Sequence, residues 1–238
     1  MSNRIGITEA GDAGIHFDWI NEMDFISFAV LITKSLNDKF IENVLKYKDK
    51  VIIHATVTGM GNTVYEPNVK DLYWSKKQLE KLIEKGFPKE QIVLRLDPII
   101  PTKEGLNTAE TVLNEYKSLG IKRCRISFMD IYPHVKQRFE EKGISVPYTF
   151  TAPQNLIKEA QKLFEKYENI YEFEACAEYV KFKSGCISQK DADILNKKIL
   201  FMGKSGQRPG CMCPMNKTEL LSYKERCPHN CLYCYWKY

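Results

Sequence analysis

No stretch of about 18 consecutive apolar residues occurs in this 238-residue chain, which excludes a membrane-spanning helix. The opening MSNRIGITEAGD holds no apolar run of signal-peptide length either, so a cytoplasmic protein without a membrane partner is expected. In a reducing cytosol disulfides are rare, and the eight cysteines are better read as metal ligands or buried thiols. Net charge is modest, 35 Lys and Arg against 30 Asp and Glu, but it is unevenly placed. From Cys176 to Tyr238 the balance is 11 against 5, and over the remaining residues 24 against 25. A nucleic-acid partner would explain such a basic tail. So would clustered thiolates around an anionic metal centre, which need cationic neighbours.

What is present is an alternation of strand and helix signals. RIGIT (4–8), FISFAVLIT (25–33), VIIHATVTG (51–59), QIVLRL (91–96), RCRISF (123–128) and IYEFEA (170–175) read as six strands. Between them lie helical patterns at IHFDWINEM, LNDKFIENVLKYKDK, SKKQLEKLIEKG, about 108–119 and about 153–167, the third opening on a Ser cap and closing at Gly86. Such alternation predicts a parallel sheet, and six βα units predict an α/β fold of the open, partial (β/α)6 TIM-like barrel type. A doubly wound sheet is the rival. The expected organisation is a barrel over 1–175 and an irregular cysteine-rich tail over 176–238, packed on the C-terminal rim where βα barrels keep their chemistry.

The tail carries seven cysteines. Cys227, Cys231 and Cys234 lie within CPHNCLYCYW, close enough for three thiolates to hold three corners of a [4Fe–4S] cluster and leave one iron open. A zinc knuckle, with His229 or another cysteine as fourth ligand, is the alternative. Cys176, Cys186, Cys211 and Cys213 make a full set of four thiolates for a second centre, a structural zinc or an auxiliary iron–sulfur cluster. Cys124, inside a strand, reads as a small buried hydrophobe.

CPHNCLYCY is similar to the cluster motif of the radical S-adenosylmethionine (SAM) superfamily. The longer pattern LRLDPIIP, ISFMDIYPHVKQR, CAEYVKF, QRPGCMCP and CPHNCLYCYW resembles an uncharacterised bacterial domain-of-unknown-function family with a cysteine-rich C-terminus. TVYEPN and RLDP bear a fainter similarity to the spore photoproduct lyase branch. The superfamily carries its cysteine loop after the first barrel strand, whereas this chain has TEAGDAG there. The resemblance implies reductive cleavage of SAM, hydrogen abstraction from an unknown substrate, and a flavodoxin- or ferredoxin-type electron donor. It implies cofactor contacts at strand ends: Arg95 and Asp97 toward the SAM carboxylate or ribose, Tyr233 toward the adenine, and Lys34, Thr56, Thr58 and Ser127 on the same rim. An Arg95–Asp97 ion pair fixing the loop at Pro98 is the structural alternative. Asp12 reads as a ligand contact or helix cap, Glu178 as a partner for a basic tail residue, and His54 as a satisfied core histidine. His134 has no assigned role, and Lys136 and Arg138 read as solvated. Two other functions fit the same residues: a zinc-stapled nucleic-acid-binding protein, and an iron–sulfur electron carrier without SAM chemistry.

Overall fold

The structure is a computed structural model that describes residues 3–204, 206, 209–222 and 227–237. Its seven strands are β1 (Ile5–Ile7), β2 (Phe28–Thr33), β3 (Val51–Thr56), β4 (Ile92–Ile99), β5 (Arg123–Phe128), β6 (Glu172–Ala175) and β7 (Lys217–Glu219). Its helices are α1 (Trp19–Glu22), α2 (Asp38–Lys46), α3 (Leu72–Glu84), α4 (Lys103–Tyr116), α5 (Pro133–Glu141), α6 (Gln154–Glu165) and α7 (Gln189–Ile194). All strands pair in parallel in the order β6-β5-β4-β3-β2-β1-β7. The sheet is not closed, and β6 and β7 are its two edges. The order never reverses between β1 and β6, unlike that of a doubly wound sheet.

Alternation along the strands separates two faces. Ala29, Leu31, Ile53, Leu94 and Ile126 pack beneath α2 to α6 in the main core. Phe28, Val30, Ile52 and Val93 point the other way, with Ile5 and Ile7, and are covered by Ile187, Ala192 and Leu195 from the tail. Toward β5 and β6 that second face turns polar. Arg123 donates to Glu174 and to Asp191, each at 2.8 Å, and Arg125 also donates to Glu174. All four side chains are buried. Buried charges persist only when paired in this way.

Local chemistry sets the element ends. Asn37, Asp71 and Thr102 cap α2, α3 and α4 by accepting from backbone N–H groups one turn on. Helix α3 therefore opens at Leu72 under Asp71, not at Ser75, whose hydroxyl instead donates back to the Asp71 carbonyl. It ends at Gly86, whose φ of 85° lets Gly86 and Phe87 donate to the carbonyls of Ile83 and Leu82. The tail is less irregular than its sequence suggests. Asp191 closes a capping box with Ser188 at the start of α7, and β7 adds to β1 with Lys217 opposite Ile5. The sequence reading gives no helix at 133–141, where Pro133 at the first position opens α5. Among the described residues no helix is long and apolar enough to cross a membrane.

Candidate metal centres at the strand ends

The loop bearing Cys227, Cys231 and Cys234 is held from several elements at once. His229 is buried and its Nε2 lies 2.7 Å from Asp12 Oδ2, in the loop that follows β1. Asp12 also accepts from the N–H groups of Gly14 and Lys34, at 2.8 and 2.7 Å, and from the Thr33 hydroxyl. Burial alone would raise the Asp12 pKa, but the bonds to His229, Thr33 and Lys34 outweigh it and hold the carboxyl below its ordinary value. Asp12 thus serves as the anchor of the cysteine loop as well as bracing its own loop. Further contacts come from Leu232 N–H to the Tyr65 carbonyl at 2.9 Å and from Asn68 to the Pro228 carbonyl at 2.8 Å. Arg138 on α5 is not simply solvated: it donates to the carbonyls of Cys234 and Trp236 at 2.6 and 2.7 Å. His134 Nε2 lies 2.8 Å from the carbonyl of Tyr235.

Beside Cys231 sits a buried polar group. Glu66, almost fully enclosed, takes the Lys34 ammonium at 2.8 Å and the Tyr233 hydroxyl, with the Thr58 hydroxyl also in reach. Lys34 lies over the Tyr233 ring at 5.7 Å. Tyr233 is buried and its hydroxyl is committed to Glu66. Burial pushes the Cys227 and Cys231 thiols up to about 11 and about 12, so each must shed a proton to bind metal.

The rim residues of β4 and β5 are paired. Arg95 and Asp97 form an ion pair just before Pro98, which follows a cis peptide bond, and each side chain is about one-fifth exposed. Ser127 donates to Glu178 at 2.8 Å, so Glu178 meets a strand-end hydroxyl, while Arg208, Lys224 and Arg226, basic tail residues that it is expected to pair with, lie outside the described residues. His54 lies in the core but is not satisfied there, since neither ring nitrogen has a hydrogen-bond partner among the described residues. Burial, followed by Arg125, Arg95 and Arg123, drives its pKa well below the usual value and keeps it neutral. Thr56 Oγ1 and nitrogens of Arg95, Arg123 and Arg125 are unpartnered around it, which makes this interior rich in donors.

A second set of cysteines gathers between β6 and β7. The sulfurs of Cys176, Cys211 and Cys213 lie within 4.8 Å of one another, all buried, and among the described residues they are the one such group able to hold a metal ion. Cys186 packs against them, and its backbone N–H donates to Cys213 Sγ at 3.1 Å. Hydrogen bonds with the Cys186 and Cys213 thiols hold Cys176 down at about 3, while the same contacts push Cys213 up. Cys124 is distant in role, fully buried with its thiol pushed up by burial.

Sequence reasoning missed Glu66 and the Arg123–Glu174–Arg125–Asp191 network. The signal for the second was present: RCR followed by EFE puts charges of opposite sign on one face of adjacent strands. Glu66 lies in TVYEPN, a segment noted for its resemblance, but nothing there marks the carboxylate itself. The profile of a family described as a domain of unknown function, DUF1848, matches residues 19–236. No curated protein matches the chain.

Proposed function

Since this chain belongs to the DUF1848 family, whose description carries no activity, we propose its function from the residues themselves: a radical SAM-type iron–sulfur enzyme. Cys227, Cys231 and Cys234 are the cluster ligands. The observation that carries the reading is the seat of their loop, which His229 and Asp12 fasten to the segment after β1. That is where the superfamily resembled by CPHNCLYCY keeps its own cysteines, so a late segment of sequence occupies an early position in space. The sheet, wound without reversal, is on this reading the wall of a partial (β/α)6 barrel, open between β6 and β7.

The donor set suits the group. The thiols of Cys227, Cys231 and Cys234 lie within one another's field, and the closely grouped single-ion set found among the described residues does not include them. His229 Nε2 is spent on Asp12, so the histidine orients the loop. A [4Fe–4S] cluster held by these three cysteines would supply, with SAM, reductive cleavage and hydrogen abstraction, the electron coming from a flavodoxin- or ferredoxin-type donor. The chain supplies position and enclosure. Lys34 and Glu66 set the charge beside Cys231, Tyr233 closes the loop's inner side against water, and Arg95 and Asp97 stand partly exposed for the polar end of SAM. Thr58 and Ser127 complete the rim. The donors around His54 and Arg125 suit a substrate that brings acceptor oxygens.

Anaerobically purified protein, reduced with dithionite, tests this. The cluster's EPR signal should change on adding SAM, 5′-deoxyadenosine should form, and Cys231→Ala should abolish both. A cluster signal indifferent to SAM would instead establish an electron carrier, and colourless protein with zinc at Cys227, Cys231 and Cys234 a zinc-stapled binding protein.

A further inference from the structure

We propose that Cys176, Cys186, Cys211 and Cys213 hold a single zinc ion, and that this ion clasps together the two open edges of the sheet. Four thiolates at the Zn–S distance of about 2.3 Å in a tetrahedron stand about 3.8 Å from one another. The Cys176, Cys211 and Cys213 sulfurs, mutually within 4.8 Å, need only small side-chain rotations to reach that spacing. In a cubane each thiolate caps its own iron at a different corner, which holds the sulfurs farther apart. Cys186, which packs against these three, is the fourth ligand and completes the shell when its side chain turns to the ion. The Cys186 N–H to Cys213 Sγ bond at 3.1 Å serves the second layer that steadies a thiolate ligand.

The backbone is shaped for this approach. A Cβ on Gly185 would lie 2.7 Å from the Ile187 carbonyl oxygen and 3.0 Å from the Met212 backbone, so a glycine is what lets the two cysteine-bearing turns touch. Lys217 and Arg95 both lie in the field of Cys186, as an anionic tetrathiolate centre requires.

Topology gives the ion its purpose. Cys176 directly follows β6, one edge strand, while Cys211 and Cys213 lead into β7, the other edge. Helix α7 and β7 are six and three residues long, too short to persist without tertiary support. One ion bound by both approaches supplies the link that hydrogen bonding leaves open. Zinc suits this structural task, being redox-inert and content with a closed tetrahedral shell.

The proposal does not depend on the SAM reading, because zinc and iron are counted separately in the same protein. In the full chain, zinc content should be one ion per chain, and Cys213→Ser should lose it while iron and sulfide stay constant. Zinc-edge X-ray absorption on the unaltered protein should show only sulfur neighbours, at about 2.3 Å, which needs no variant to fold. Removing zinc with a chelator should speed amide hydrogen exchange at Lys217–Glu219 at least about tenfold, with β3 unchanged. Iron and sulfide lost together from Cys213→Ser, nitrogen or oxygen neighbours at the zinc edge, or β7 exchange indifferent to the chelator would overturn it.

Discussion

Replacing Asp12 by Asn tests whether one carboxylate fastens the cysteine loop to the rim. The side chain keeps its shape, but its contacts do not survive equally. Oδ1 takes Gly14 N–H and the Thr33 hydroxyl, and an amide oxygen can keep both. The amide NH2 then replaces Oδ2, which accepts from Lys34 N–H at 2.7 Å and lies 2.7 Å from His229 Nε2. The Lys34 N–H is left facing another donor, which costs about 1–3 kcal/mol for a buried group. The charge-assisted bond to His229 is worth about 1.5–3 kcal/mol more. These terms share one side chain and do not simply add, so about 3 kcal/mol is the working figure. That loss falls on loop docking and raises the undocked population about 100-fold. The assay is alkylation of metal-free protein under anaerobic conditions, with each cysteine read by peptide mass spectrometry. Cys231 should label about 100-fold faster in the variant. Cys124, fully buried beneath the helices, reports global unfolding and should not change. Labelling of Cys231 within about threefold of the parent, or rising only in step with Cys124, would refute the anchoring role.

Three more outcomes are expected. Asp191→Ala removes both the α7 capping box and a partner of buried Arg123, so it should destabilise the chain by about 3–5 kcal/mol. A melting temperature lowered by about 10 °C would register this, and a shift under about 3 °C would count against the buried network. Arg138→Met deletes the two bonds to the Cys234 and Trp236 carbonyls, weakening docking by about 1–2 kcal/mol, which the same alkylation assay reads as faster Cys234 labelling. Asp12 is held below its usual 3.8, so its contribution is present above about pH 4 and fades as pH falls through the lowered value. Acid titration of metal-free protein should therefore speed Cys231 labelling before Cys124 responds, an acid-dependent rise that Asp12→Asn, with its loop already loosened at neutral pH, should not show.

Six strands, the amphipathic helices and the grouping of Cys176, Cys211 and Cys213 were legible in the sequence, most of them from a local signature. Short, nearly continuous apolar runs, as strands covered on both faces show, mark FAVLIT and VIIHAT, Asn37 marks the start of α2, and close spacing marks CPHNCLYC. The capping residue of α3 was misplaced by four positions because Asp71 and Ser75 are both good caps, and packing chose between them. Strand β7 escaped because its three residues carry no period, and its place beside β1 rests on Gly6, where a Cβ would lie 2.4 Å from Leu220. Arg138 looked solvated because a single arginine on an exposed helix gives no sign of carbonyls brought from almost a hundred residues away.

By itself, the sequence determined which residues could do chemistry: thiols in sets of three and four, a basic tail, and strand ends furnished with Lys34, Arg95, Asp97 and Ser127. Only the tertiary structure decided what those residues meet. It brought His229 to Asp12 across 217 positions, set Tyr233 on Glu66, and drew Cys176 and Cys213 from opposite edges of the sheet into one pocket. Side-chain chemistry is written locally, residue by residue. Partnership depends on where parallel strands and their crossovers end, and that is settled by burial and hydrogen bonding of the whole chain at once.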